Sequence, residues 1–169
     1  MFELLKNLLV EELQLDPEEI KPECELTNDL GINSIELADL VLQCEDNFGI
    51  EIEDDDFALW YRDLSEEMDT YEGKTVHVKG LVARDNKLGK NGVIIGRHIM
   101  TCCADDIAYS GLVCNFSAPV SLKTRDWITV TAKITLEPHK LYGGRRGPVL
   151  YATDYAMSSA PKQEVATFY

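Results

Sequence analysis

Asp29-Leu30-Gly31-Ile32-Asn33-Ser34-Ile35-Glu36-Leu37 is the stretch that decides how the front of this chain folds. Asn is among the best residues for closing the start of a helix, because its side-chain oxygen accepts the amide protons that the first turn leaves unpaired. Glu36 stands three residues on, where its carboxylate returns a bond to the Asn33 backbone and completes a capping box. Ser34 then occupies the first helical position, with its hydroxyl at the surface, beside free backbone N–H groups and the positive end of the helix dipole. A phosphodiester placed there gains about 0.3–1 kcal/mol from the dipole when exposed.

Downstream of this start, Leu37, Leu40, Val41, Cys44 and Phe48 recur at helical spacing and stop before Gly49. Upstream, Phe2, Leu5, Leu8, Leu9 and Leu13 make a second stripe, ended by Asp16-Pro17. Two helices with one apolar face each are expected to bury those faces together. A third amphipathic helix is predicted through Phe57, Trp60, Leu64 and Met68. Beyond Tyr71-Glu72-Gly73 the period changes to alternation, which predicts five strands: Thr75–Val82, Gly92–Met100, Gly111–Phe116, Trp127–Leu136 and Val149–Met157. The glycine-rich Leu141–Pro148 segment joins the last two as a hairpin loop, and a longer link, Ser117–Asp126, follows the third strand. Five strands so connected predict a small OB-like β-barrel.

The expected class is therefore α+β. It divides into a helical domain over 1–56, a linking helix over 57–72, the barrel over 73–158 and a flexible tail over 159–169.

Charge is unevenly spread. The net charge is −14, yet residues 1–56 hold 18 Asp and Glu against only Lys6 and Lys21, while residues 57–169 hold 12 against 14 Lys and Arg. So acidic a front repels nucleic acid and anionic membrane and attracts basic protein surfaces, among them a face along Glu36, Asp39, Glu45 and Asp46. No apolar run reaches membrane-spanning length, and the N-terminus has no signal-peptide core, so a cytoplasmic location is expected. Five cysteines, odd in number and without zinc-finger spacing, fit a reducing compartment. No nucleophile–base pair stands out, so the chain is not expected to be an enzyme.

Over about residues 2–56 the chain resembles the acyl carrier proteins. The match runs from the amphipathic first helix through LDPEEIKPE and DLGINSIELADLVLQCEDNFGIEI to the acidic EDDD. The family, known from fatty acid biosynthesis, carries 4'-phosphopantetheine on the serine of an Asp-Ser-Leu motif, which corresponds to Ser34. The resemblance implies that a holo-carrier synthase transfers the arm from coenzyme A, that the arm's thiol holds acyl groups as thioesters, and that Glu36, Asp39 and Glu45 dock the synthase and acyl-processing enzymes. Asn33 replaces the family's usual aspartate, and the family's short closing helix is not evident after EDDD.

The back half carries a second resemblance. Tyr71-x-Gly73-Lys74-x-Val76-x-Val78-x-Gly80 and Arg97-His98-Ile99-Met100-Thr101-Cys102-Cys103-Ala104-Asp105-Asp106 are similar to the C-terminal OB-like domain of a bacterial family of two-component membrane permease subunits, over about 57–157. Adjacent cysteines on a regular strand point to opposite faces. A disulfide between them is strained, because neighbouring Cα atoms lie about 3.8 Å apart, short of the usual 4.4–6.8 Å. A metal or redox site at Cys102 and Cys103, with His98 as a further ligand, therefore needs a bend, with help from Asp105, Asp106 or Cys114. The other reading places one cysteine in the core and the second under a loop, with the aspartates capping a turn. A metal- or thiol-responsive accessory domain is thus the alternative to a carrier. Arg145 and Arg146, in the glycine-rich loop, stand either as an anion site or as a solvated tip.

Overall fold

The structure, a computed structural model, describes residues 2–169. Its order is α1 (Phe2–Leu13), α2 (Ser34–Phe48), β1 (Ile50–Ile52), α3 (Phe57–Glu66), α4 (Met68–Tyr71), β2 (Thr75–Ala83), β3 (Gly92–Ile99), β4 (Ala108–Asn115), β5 (Trp127–Pro138) and β6 (Arg146–Met157), with short 3-10 turns between some of them. The class is α+β. Two compact units divide the chain, residues 1–49 and 50–169.

The first unit holds α1, α2 and the loop between them. Its core is Leu8 and Leu9 from α1, Leu40 from α2, and Ile20 and Ile32 from the loop, with Phe2, Leu5, Leu13, Leu37 and Phe48 packed around it. These are the expected stripes, and each buried leucine contributes about 1.5–3 kcal/mol relative to an exposed one. So small a unit supports little core, and several large apolar side chains stay in water. Leu4, Val41 and Leu42 are at least half exposed, and Ile35 is 75% exposed.

The second unit is built on a six-stranded mixed sheet in the order β1-β2-β3-β4-β6-β5. A further pairing of β2 with β5 closes five of these strands, β2-β3-β4-β6-β5, into a ring. Along β2 the alternation predicted from sequence is realised, with Val76, Val78, Gly80 and Val82 buried and their neighbours partly exposed. β3 and β4 form the most regular ladder, from Gly92↔Asn115 to Ile99↔Ala108. At its centre Gly96 lies opposite Gly111, where the backbones approach too closely for a side chain. The β4–β6 pair is parallel, over Val113↔Val149 to Asn115↔Tyr151.

Three expectations change. A sixth strand, β1, lies within what the sequence suggested was the acidic end of the helical domain. It pairs in parallel with β2, Ile50↔Val76 to Ile52↔Val78, so the sheet begins at residue 50. The Phe57–Met68 helix forms as α3 and α4, but it is not a free linker. Phe57, Ala58, Trp60 and Leu64 are buried in the same core as the sheet residues Val76, Ile95, Ile128 and Ile134. Finally, the tail expected to be flexible is tied down. Met100 N–H donates to Ala166 O (2.9 Å) and Ala166 N–H to His98 O (2.8 Å), a parallel bridge that leaves Ala166 and Thr167 buried.

Arg97 supplies the other half of that anchor. Among the described residues it is the one buried arginine, 1% exposed, and it stands between the rings of Phe57 and Trp127 at 5.7 and 5.8 Å from their centroids. Its guanidinium donates to the backbone carbonyls of Asp54 on one side and of Gln163 and Glu164 on the other. Burial lowers its pKa from the ordinary guanidinium value, and the Asp54 and Asp55 carboxylates oppose that shift. Arginine remains charged in such a setting.

In the hairpin between β5 and β6, Gly143 and Gly144 take left-handed φ values of 66° and 78°, which the tight turn requires. Arg146 is paired with Asp69 (2.7 Å) and Glu72 (3.1 Å), so of the two loop arginines only Arg145 presents a charge without a salt bridge among the described residues.

Candidate functional site

The start of α2 forms as the sequence predicts. Asn33 has extended backbone, φ −80° and ψ 172°, and its Oδ1 accepts from the N–H of Ile35 (2.9 Å) and Glu36 (3.0 Å). Glu36 Oε2 accepts in return from Asn33 N–H at 2.9 Å, and Asn33 O begins the helical ladder by accepting from Leu37 N–H at 2.8 Å. Ser34 is exposed at the first helical position and takes no part in the cap.

One detail differs from expectation. The amides of Asn33, Ile35 and Glu36 are all occupied by the box, so they are not free to receive an anion at Ser34. What the fold offers a phosphodiester there is the helix dipole and an unobstructed hydroxyl. The box also half-buries Glu36 and engages its carboxylate, whereas Asp39 is exposed on the next turn and Glu45 is half-buried. Along the same helix, a recess of about 360 Å³ is lined by Glu12, Leu13, Asp39, Leu40, Leu42, Gln43 and Asp46.

Asn33→Ala is expected to cost the helix about 1 kcal/mol, whereas Asn33→Asp, which keeps the acceptor, holds it near the wild-type value. Faster amide exchange at Ile35 and Glu36 in the alanine variant, with slower exchange in the aspartate variant, is the measurement that reads this.

The second group of chemically capable side chains lies after β3. The chain bends at Thr101–Cys103 and passes through a 3-10 turn, Ala104–Asp106, before β4. That turn carries Asp106 back over the cysteines. Its Oδ1 accepts from Thr101 N–H (3.0 Å), and its Oδ2 accepts from Cys102 N–H and from the Cys102 thiol, both at 2.9 Å. The two sulfurs lie 3.8 Å apart. Hydrogen bonding to Asp106, which favours the protonated thiol, pushes the Cys102 pKa up to about 11 and lowers that of Asp106.

The bend that the cysteine pair requires is thus present, and Cys102, Cys103 and Asp106 come together at the surface. His98 does not join them. Its ring stands edge-on to Tyr109, 5.5 Å between centroids, as its cross-strand partner in the β3–β4 ladder. Cys114 faces the core, and burial pushes its pKa up to about 12. The signal that separates Asp106 from the other candidates is spacing: a residue four positions after Cys102 is returned by a single 3-10 turn.

Residues 33–166 match the family described as the DUF1980 C-terminal domain. Over 54 residues the chain is also 41% identical to the acyl carrier proteins of Nitratidesulfovibrio vulgaris strains DP4 and Hildenborough and of strain DSM 19637 / Miyazaki F. That segment is 32% of this chain and 71% of each relative. Among the described residues no helix is long and apolar enough to cross a membrane.

Proposed function

We propose, from the premise that the chain belongs to the DUF1980 C-terminal domain family and, through its front segment, to the acyl carrier proteins, that it is a non-enzymatic carrier whose Ser34 bears 4'-phosphopantetheine. The observation that carries this reading is the capping box. It fixes the start of α2 while leaving the Ser34 hydroxyl exposed and outside the hydrogen-bond network. In the transfer, Ser34 Oγ loses its proton and forms the new bond to phosphorus as the nucleotide part of coenzyme A leaves. The bound group would supply a thiol for thioesters on a flexible arm. The chain's own part is to present the hydroxyl, hold the helix start rigid and offer docking charge.

Asp39 and Glu45, with the apolar Ile35 beside Ser34, form the face for a holo-carrier synthase and for acyl-processing enzymes with basic docking surfaces. Glu36 serves that face less directly, because its carboxylate is engaged in the cap. The five-strand ring, with its third and last strands paired in parallel, supports reading the second unit as an OB-like barrel. Its role in this reading is to bind or place the carrier's partner. A cytoplasmic location accords with the partners proposed.

Coexpression with a holo-carrier synthase, followed by intact-mass measurement, tests the reading. The wild type is expected to gain one phosphopantetheinyl group and Ser34→Ala none. Because Ser34 is exposed and outside the cap, the alanine variant should keep its stability to within about 0.5 kcal/mol. Loss of loading is then not a folding defect. An unmodified wild type would overturn the proposal.

A further inference from the structure

We infer that Cys102, Cys103 and Asp106 form a surface site for one thiophilic divalent cation of the zinc class. Their ligand atoms lie within 4.8 Å of one another. For a tetrahedral ion with metal–sulfur bonds of about 2.3 Å, two sulfurs subtend about 3.8 Å. The Sγ–Sγ separation is 3.8 Å. The same geometry sets the sulfur–oxygen separation at about 3.6 Å, against 2.9 Å between Cys102 Sγ and Asp106 Oδ2. A small opening of that contact brings the Cys102–Asp106 edge to chelating length, and the third edge, from Cys103 to Asp106, lies within 4.8 Å. On binding, two thiol protons pass to solvent as two metal–sulfur bonds form, with no change of oxidation state.

The competing fate of adjacent cysteines is less accessible from this conformation. A disulfide needs the sulfurs at about 2.05 Å and Cα atoms farther apart than neighbouring residues allow. The bend directs the two sulfurs to the same side, which a regular strand would not. The carboxylate is oriented in advance by the amides of Thr101 and Cys102, the kind of outer support that holds a ligand in position. Both cysteines are exposed, so an ion can enter and the fourth position remains open to water or an external ligand. Two sulfurs with one carboxylate favour a borderline or soft ion over magnesium or calcium, which take oxygen ligands.

The test is a zinc titration of the reduced full chain against a chromophoric chelator, with cadmium as a second probe for its thiolate charge-transfer absorption. One ion per chain is expected, with Cys102→Ser and Cys103→Ser each weakening binding by about 100-fold or more and Asp106→Asn by about 10–100-fold. His98→Ala and Asp105→Asn, which alter neighbouring groups outside the three, should stay within twofold. Far-UV circular dichroism checks that each variant is folded. Ser34→Ala should bind as the wild type does, which separates this site from any loading of Ser34. Tight binding that survives loss of both cysteines, a dependence on His98 equal to that on the cysteines, or no binding by the reduced wild type would each overturn the assignment.

Discussion

Arg97→Ala is expected to remove about 3–5 kcal/mol from the stability of the second unit, a large part of the roughly 5–15 kcal/mol that a domain possesses. The side chain is almost wholly buried, and three backbone carbonyls depend on it, those of Asp54, Gln163 and Glu164. Truncation leaves these carbonyls without their donor and opens a cavity between the rings of Phe57 and Trp127. Arg97→Lys should recover little of the loss, since one ammonium cannot reach both sides of the gap that the planar guanidinium spans. Trp60 and Trp127 both lie in this unit, so the urea midpoint followed by tryptophan fluorescence reads the effect. Amide exchange at Met100 and Ala166 should accelerate most, because their bridge adjoins the lost anchor.

Gly96→Ala is the second large effect, and its cause is opposite: added volume where none can be accommodated. A Cβ at Gly96 would lie 2.0 Å from Ser110 O and 2.4 Å from Gly111 Cα, both backbone atoms of the adjoining strand. Overpacking ordinarily costs about 1–3 kcal/mol. Here no side chain can rotate away, so the expected cost is at or above about 3 kcal/mol, with loss of protection along the β3–β4 ladder. Gly80→Ala offers the comparison. Its nearest contact, at 2.3 Å, is Ile95 Cγ2, a side-chain methyl that can move, and its backbone contacts begin at 3.2 Å. The same fluorescence-detected urea unfolding should place it between Gly96→Ala and the wild type.

The helix start at Asn33 was legible because its chemistry is local: cap, returning carboxylate and apolar stripe all lie within a few residues. The alternation of β2 was legible for the same reason, one buried face imposing a period of two. β1 was not. Three residues carry too little period to announce a strand, and its partner is set by parallel pairing with Val76–Val78, more than twenty residues along the chain. The allegiance of α3 was hidden as well. Its stripe of Phe57, Trp60 and Leu64 states that one face is buried, but a stripe does not specify which core receives it. The tail was the hardest, since what holds it lies far off in sequence: the backbone of His98 and Met100, the guanidinium groups of Arg97 and Arg62, and the core on which Ala166 and Phe168 pack. Around the cysteines, the pair was conspicuous and the need for a bend followed from strand geometry. That the third group is Asp106 rather than His98 depended on a 3-10 turn which the sequence offered only as one of several options.

The closure of the ring has a consequence for how the protein is made. Contacts in the first unit are local, within residues 1–49, and α1 and α2 can associate as soon as that segment has left the ribosome. The second unit has local hairpins too, β2–β3, β3–β4 and β5–β6, but these alone do not close its ring. β2 needs β5, β4 needs β6, and Ile99 needs Ala166, so the ring cannot close until β5, β6 and the segment around Ala166 have all been synthesised. Non-local pairing of this kind slows folding and leaves strand edges unpaired in the interval. Vectorial synthesis therefore gives the two units different histories: the helical front can fold during translation, whereas the ring closes late, through the β2–β5 and β4–β6 pairings.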